Sequence, residues 1–258
     1  MIEIANTMFR IPSRLPSAEQ FLRWGIHLGI FLILLTPFIT HNPSIFPNLY
    51  PKVIYFRVLV ELIFLFYLLL LLRNLNYLPK LTPLFLSVLI FIEILLFSTW
   101  KGVNPERSFW GSVERGEGFI LLLHLFLFFV VLVGVLGEKK EWLRFMRFIV
   151  LASIPLGIWG LNEFFSYTGE GYTYMQISFG NPIFYGAYLV FIIFLSLFLA
   201  AHDYSNRSPL TWKFLRINII GQKSWIAFAL LAMFSIFLAI MTLSRGAWIG
   251  AGAGFVVL

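Results

Sequence analysis

The chain contains no cysteine, which excludes a disulfide scaffold, a thiolate-bound metal and a cysteine nucleophile. Charge is scarce as well. Asp, Glu, Lys and Arg supply 12% of the 258 residues, about half of what a water-soluble domain uses to cover its surface. Internal repeats, low-complexity tracts and polar stretches long enough for a soluble domain are all missing, so 1–258 reads as a single domain. The long apolar runs also lack apolar/polar alternation, which excludes the strands of a membrane barrel.

What is abundant is apolar. Sixty per cent of the residues are hydrophobic, with 30 Phe, 10 Tyr and 8 Trp, and the mean hydropathy is +0.88. So many apolar side chains cannot all be buried, so part of the surface must face lipid. Apolar runs long enough for a spanning helix cover about 24–40, 53–72, 81–99, 117–137, 142–165, 183–201 and 225–243. A last run opens at Gly246 and reaches Leu258. Its helical rise of about 20 Å is too short to cross a bilayer. The sequence therefore predicts an all-α, polytopic transmembrane bundle with seven complete spans and a partial eighth, a chain that stops within a helix.

The net charge of +7 would suggest a nucleic-acid partner in a soluble protein. Here its distribution has a topological reading. Most Lys and Arg in the short loops fall on the side of the amino terminus, among them Arg10, Arg14, Arg23, Lys139 and Lys140. Cations concentrate on the cytoplasmic side, so the amino terminus is expected to be cytoplasmic. An anionic lipid surface is then their neighbour.

The opposite, outer side collects a different set. The segment from Lys101 to Gly118 mixes both charge signs with Gly111, Gly116 and Gly118. Phe179-Gly180-Asn181-Pro182 precedes the sixth run, and Asn181 before a proline reads as a helix N-cap. The seventh run ends in Thr242-Leu243-Ser244-Arg245-Gly246-Ala247-Trp248. Arg115, Asn181 and Arg245 thus come from separate spans to one face. Guanidinium groups and a free helix N-terminus are the chemistry of a phosphate site.

Other residues have local readings. Gly246, Gly250 and Gly254 recur every four residues, the spacing of close helix–helix packing. Glu61 follows Arg57 by four residues and is expected to pair with it. Glu93 lies inside the third run and needs a partner, with Arg115 or Arg245 as candidates. His124 is expected to be buried and bonded to a backbone group. No set of His and carboxylates has metal-ligand spacing, so no metal site is expected.

Three segments together resemble the O-antigen ligase/polymerase family of bacterial envelope proteins. Thr242 with Ser244-Arg245-Gly246-Ala247-Trp248 is similar to the family's hallmark at a span end. Phe179-Gly180-Asn181-Pro182 with Ala187-Tyr188-Leu189 resembles its Gly-Asn-Pro segment. Ser108-Phe109-Trp110-Gly111-Ser112, then Glu114-Arg115 and Gly118, resembles its outer loop. The resemblance implies a metal- and cofactor-independent glycosyltransferase of the bacterial plasma membrane, acting at the extracytoplasmic face. Its donor would be a glycan on undecaprenyl diphosphate, and its acceptor a lipid, a glycan or a protein. By that resemblance Arg245 contacts the diphosphate and Arg115 is a second cationic contact. Ser244 and Asn181 join them as candidate contacts, with Glu93, Glu117, His124 and Trp248 in support. The family's catalytic Arg and His lie in a large outer loop further along than residue 258, so this chain is expected to be the amino-terminal part of such a domain. The rival readings are a transporter of a small anion and a non-catalytic membrane protein.

Overall fold

Ser17 starts the first helix. Its hydroxyl accepts from the Gln20 N–H at 3.3 Å, and the Gln20 side chain accepts from the Ser17 N–H at 3.2 Å. This reciprocal box satisfies two otherwise orphaned donors and launches α1, Ala18–Leu34. The same local logic recurs along the chain. Tyr50-Pro51 opens α2, Tyr50–Arg73. Thr82 caps α3, Pro83–Lys101, by accepting from the Phe85 N–H. Asn104 caps the short α4, Pro105–Trp110. α5 spans Phe119–Val135, α6 Lys139–Tyr167, α7 Pro182–Asn206, α8 Ser224–Met241 and α9 Arg245–Val257.

The computed structural model describes residues 17–40, 46, 48–112, 115–167, 175, 177–206, 210–212, 217–220 and 224–257. Every apolar run expected to span overlaps a helix, although α1 begins six residues before its run and ends at Leu34, six residues short of the run's end. Five of them, in α2, α3, α6, α7 and α8, have the length and hydropathy that a bilayer crossing requires. The chain is therefore a multi-pass, helical membrane protein. The other two runs expected to cross completely are carried by α1 and α5, which are 17 residues each. Among the described residues, one element departs from the all-α expectation. A short antiparallel ribbon pairs β1, Leu210–Trp212, with β2, Ile217–Ile220, between α7 and α8.

Two groups of helices form the interior. In the first, Ile26 and Ile30 of α1 meet Val60, Ile63 and Tyr67 of α2 and Val131 of α5. Gly25 and Gly29 let α1 lie against α2, because a Cβ at either would collide with Phe66 or Ile63. In the second, Leu156 of α6, Tyr185 and Leu189 of α7 and Leu238 of α8 interlock. α3 stands apart, with Phe85 as its buried residue, while Ile90, Phe91, Ile94 and Phe97 project outward. An apolar helix that exposes such a face is solvated by lipid rather than water.

Polar contacts collect at the two ends of the bundle. At one end Arg23 pairs with Glu141 at 3.3 Å, and the Tyr77 hydroxyl donates to Glu19 at 2.8 Å. Arg147 of α6 reaches the fully buried Asp203 of α7 at 2.5 Å, and Ser224 of α8 donates to the other Asp203 oxygen at 2.8 Å. At the opposite end Lys52 donates to the carbonyls of Asn48 and Ser178, and Arg57 donates to the carbonyl of Gly116. The ends of α2 and the starts of α1 and α6 thus share one face, while the starts of α2, α5 and α7 share the other.

Candidate functional site

The second of these ends contains the residues that the sequence singles out. α7 begins at Asn181, whose Oδ1 accepts from the Ile183 N–H at 2.8 Å and whose carbonyl accepts from the Tyr185 N–H at 3.2 Å. Asn181 is the N-cap its sequence context predicts. The chain enters through Gly180 at φ 66°, a left-handed backbone that favours glycine. A Cβ there would also lie 3.0 Å from the Asn48 side-chain nitrogen. Just before it, Ile177 holds φ 40°, and its N–H donates to Glu163 at 2.7 Å. Glu163 lines an open cavity of about 330 Å³ with Trp159, Asn162, Ser166 and Ile177.

α9 begins in a second tight turn. Thr242, fully buried, donates to the Ala239 carbonyl at 2.8 Å and accepts from the Ser244 N–H at 3.3 Å. Leu243 takes φ 52°, a strained conformation for its side chain. Ser244, also buried, accepts from the Ala247 N–H at 3.4 Å and so caps α9. The Trp248 indole N–H returns to the Ala239 carbonyl at 3.0 Å. The hydroxyls and the indole therefore fix the turn, and Arg245 stands at the first helical position with an exposed side chain. Among the described residues it makes no ion pair.

The two turns belong to one assembly. Gly186, in the second turn of α7, faces Ala247, Ser244 and Thr242. Lys52 links this assembly to α2, since its ammonium donates to the Ser178 carbonyl and lies 5.9 Å over the Phe179 ring. Arg57, one turn and a half further along α2, holds the turn that contains Arg115 and Glu117 through the Gly116 carbonyl. Its Nε is buried, with no hydrogen-bond partner among the described residues. The cations at this end thus include Lys52 and Arg57 of α2, Arg107 of α4, Arg115 of the turn before α5 and Arg245 of α9.

Several expectations need correction. Glu61 is engaged by His124, whose Nε2 lies 3.1 Å from its carboxyl, while the Arg57 guanidinium is directed to Gly116 instead. Glu93 meets neither Arg115 nor Arg245. Arg115 pairs with Glu117 at 3.9 Å, both half or more exposed, and Glu93 is exposed with no ion pair among the described residues. Gly246 and Gly250 do not mediate close packing, since a Cβ at either would meet nothing within 4 Å. Only Gly254 of that series is pressed against a neighbour, the Phe194 ring. His124 is buried and bonded to the Ile120 carbonyl as expected, at 2.7 Å.

Three residues carry contacts that the sequence did not reveal. Lys52 stands near the start of an apolar run with no local partner in the sequence, and its two carbonyl acceptors depend on tertiary placement. Asp203 had no signal beyond its own charge at a span end. Gly186 could have been flagged, because it stands among bulky residues in an otherwise uninterrupted apolar run. No protein-family model, curated protein or solved structure matches this chain.

Proposed function

We propose that this membrane protein grips the diphosphate of a polyprenyl-linked glycan at the face where α7 and α9 begin. The reaction class is that of the O-antigen ligase/polymerase type, transfer of the glycan from undecaprenyl diphosphate to a lipid, glycan or protein acceptor. The membrane is the bacterial plasma membrane, and the working face is extracytoplasmic. One observation carries this reading: two capped helix starts are docked on each other through Gly186, and the exposed guanidinium of Arg245 sits at the first position of one of them.

The physics favours an anion there. Helix starts present free N–H groups and the positive end of the backbone dipole. Arg adds a planar fork that pairs with phosphate oxygens. Lys52 and Arg115 extend the positive field along the same face. A headgroup held at this depth leaves its prenyl tail against the apolar helix surface. As the sugar–oxygen bond breaks, negative charge grows on the leaving diphosphate, and fixed cations stabilise it most at that moment.

The test uses the chain in lipid nanodiscs and undecaprenyl diphosphate as the probe. Arg245→Ala is expected to weaken binding by about tenfold or more, equivalent to about 1.4 kcal/mol. Arg107→Ala, which removes an exposed cation from α4 at the same end, serves as the control and leaves binding unchanged. Equal affinity of Arg245→Ala and wild type would remove the basis of the reading.

A further inference from the structure

Glu61 on α2 and His124 on α5 meet among apolar helix surfaces, and their geometry constrains a proton. The imidazole Nδ1 lies 2.7 Å from the Ile120 carbonyl oxygen. A carbonyl only accepts, so Nδ1 carries a hydrogen. Nε2 lies 3.1 Å from Glu61 Oε1. A neutral ring with its hydrogen on Nδ1 presents a lone pair at Nε2, and an ionised carboxylate presents only lone pairs. The contact is a hydrogen bond only when one further proton lies between the two atoms.

With that proton the pair is net neutral, whether drawn as imidazolium and carboxylate or as imidazole and carboxylic acid. Without it the pair carries one negative charge inside the apolar part of the fold, where charge is costly. We propose that Glu61 and His124 form a one-proton binding site within the helical bundle, in which the bound proton bridges α2 and α5. This goes beyond the headgroup reading and does not depend on it.

The surroundings give the proton a field. His124 is 5% exposed, whereas the Glu61 side chain is 65% exposed. The carboxyl is therefore the open side of the pair and the imidazole its enclosed side. Arg57, one turn before Glu61, is the charged group that acts on it from α2. α1 faces α2 with the apolar Ile26, Ile30 and Ile33. In the turn before α5, Arg115 and Glu117 are paired with each other. α3 packs on α5 through Phe85, while its Glu93 is exposed, as are Glu106 and Arg107 of α4.

The experiment follows both partners in the full chain in nanodiscs. Histidine is labelled with nitrogen-15 for solid-state NMR, and the carboxyl and carboxylate bands are followed by infrared absorption over a pH titration. His124→Gln assigns the His124 signals among the four histidines. In wild type, Nδ1 is expected to stay protonated throughout, while the Nε2 signal and the Glu61 carboxyl or carboxylate band change together at one midpoint, as loss of a single shared proton requires. Glu61→Gln is expected to remove the carboxyl transition and displace the His124 transition by about tenfold or more in proton concentration. Glu93→Gln leaves both unchanged. Separate midpoints in wild type, a titrating Nδ1, or an unmoved His124 transition in Glu61→Gln would each overturn the site. The wild-type midpoints need no Glu61 substitution, so a misfolded Glu61→Gln still leaves the test decided.

Discussion

Gly186 lies directly against Ala247. A Cβ at Gly186 would come within 2.8 Å of the Ala247 methyl carbon and 3.3 Å of the Ser244 Cβ. Neither neighbour is the flexible end of a long side chain, so α7 and α9 would have to separate. Alanine in a helix gains about 1 kcal/mol of propensity over glycine, while overpacking costs about 1–3 kcal/mol. The steric term wins. Gly186→Ala is expected to lower the thermal unfolding midpoint in detergent, and Gly186→Leu to lower it further. An unchanged midpoint in Gly186→Leu would show that the two helix starts are not docked.

Asp203 is fully buried, and Arg147 is its charged partner from a different helix, joined by Ser224 and by His202 at 3.2 Å. Removing one partner of a buried pair strands the other, at a cost of about 3–5 kcal/mol. Arg147→Ala is expected to destabilise the chain by that amount in chemical unfolding. The double variant Arg147→Met with Asp203→Leu is expected to regain most of the loss, because no charge is then left unpaired. If the double variant is as unstable as the sum of the two single variants, the network is not a coupled pair.

The helices were legible because lipid exposure leaves whole apolar runs unbroken, and every such run overlaps a helix, with the first offset toward the amino terminus. Caps were legible for the same local reason: Asn181 before Pro182 needs no tertiary information. The site was less so. Spacing of four residues on α2 made Arg57 the natural partner of Glu61, yet the guanidinium turns to Gly116 and the carboxyl to His124. A sequence lists neighbours along one helix and not those across a bundle. The glycine series at 246, 250 and 254 misled in the same way, since periodicity marks a face but does not say what lies opposite it.

Tyr77 lies just beyond the end of α2, and its hydroxyl donates to Glu19. Burial, and then this bond to a carboxylate, push its phenol above the ordinary value of 10.0. A raised phenol binds its proton more tightly folded than unfolded. The contribution to stability is fully present below about pH 10 and is lost as the pH rises beyond it. Tyr77→Phe is expected to be less stable by about 1 kcal/mol at neutral pH and to lose stability less steeply than wild type above about pH 10. Parallel stability curves across that range would show that the Tyr77–Glu19 bond contributes nothing to folding.

The sidedness of the bundle can be read directly, because a chain without cysteine accepts single reporter thiols with no background. Arg23–Glu141 and Tyr77–Glu19 place the starts of α1 and α6 at one end. The Arg57–Gly116 and Lys52–Ser178 bonds, with the Gly186 contact, place the starts of α5, α7 and α9 at the other. A membrane-impermeant maleimide is therefore expected to label Arg107→Cys and Arg245→Cys from the same side of sealed vesicles, and Lys139→Cys from the opposite side. In intact cells the first two are the ones expected to react from outside, since cations are concentrated at the other end. Labelling of positions 107 and 245 from opposite sides would separate the cations that the headgroup reading requires together. Labelling of both from the cytoplasm would keep the assembly intact and turn it toward a substrate on the inner leaflet.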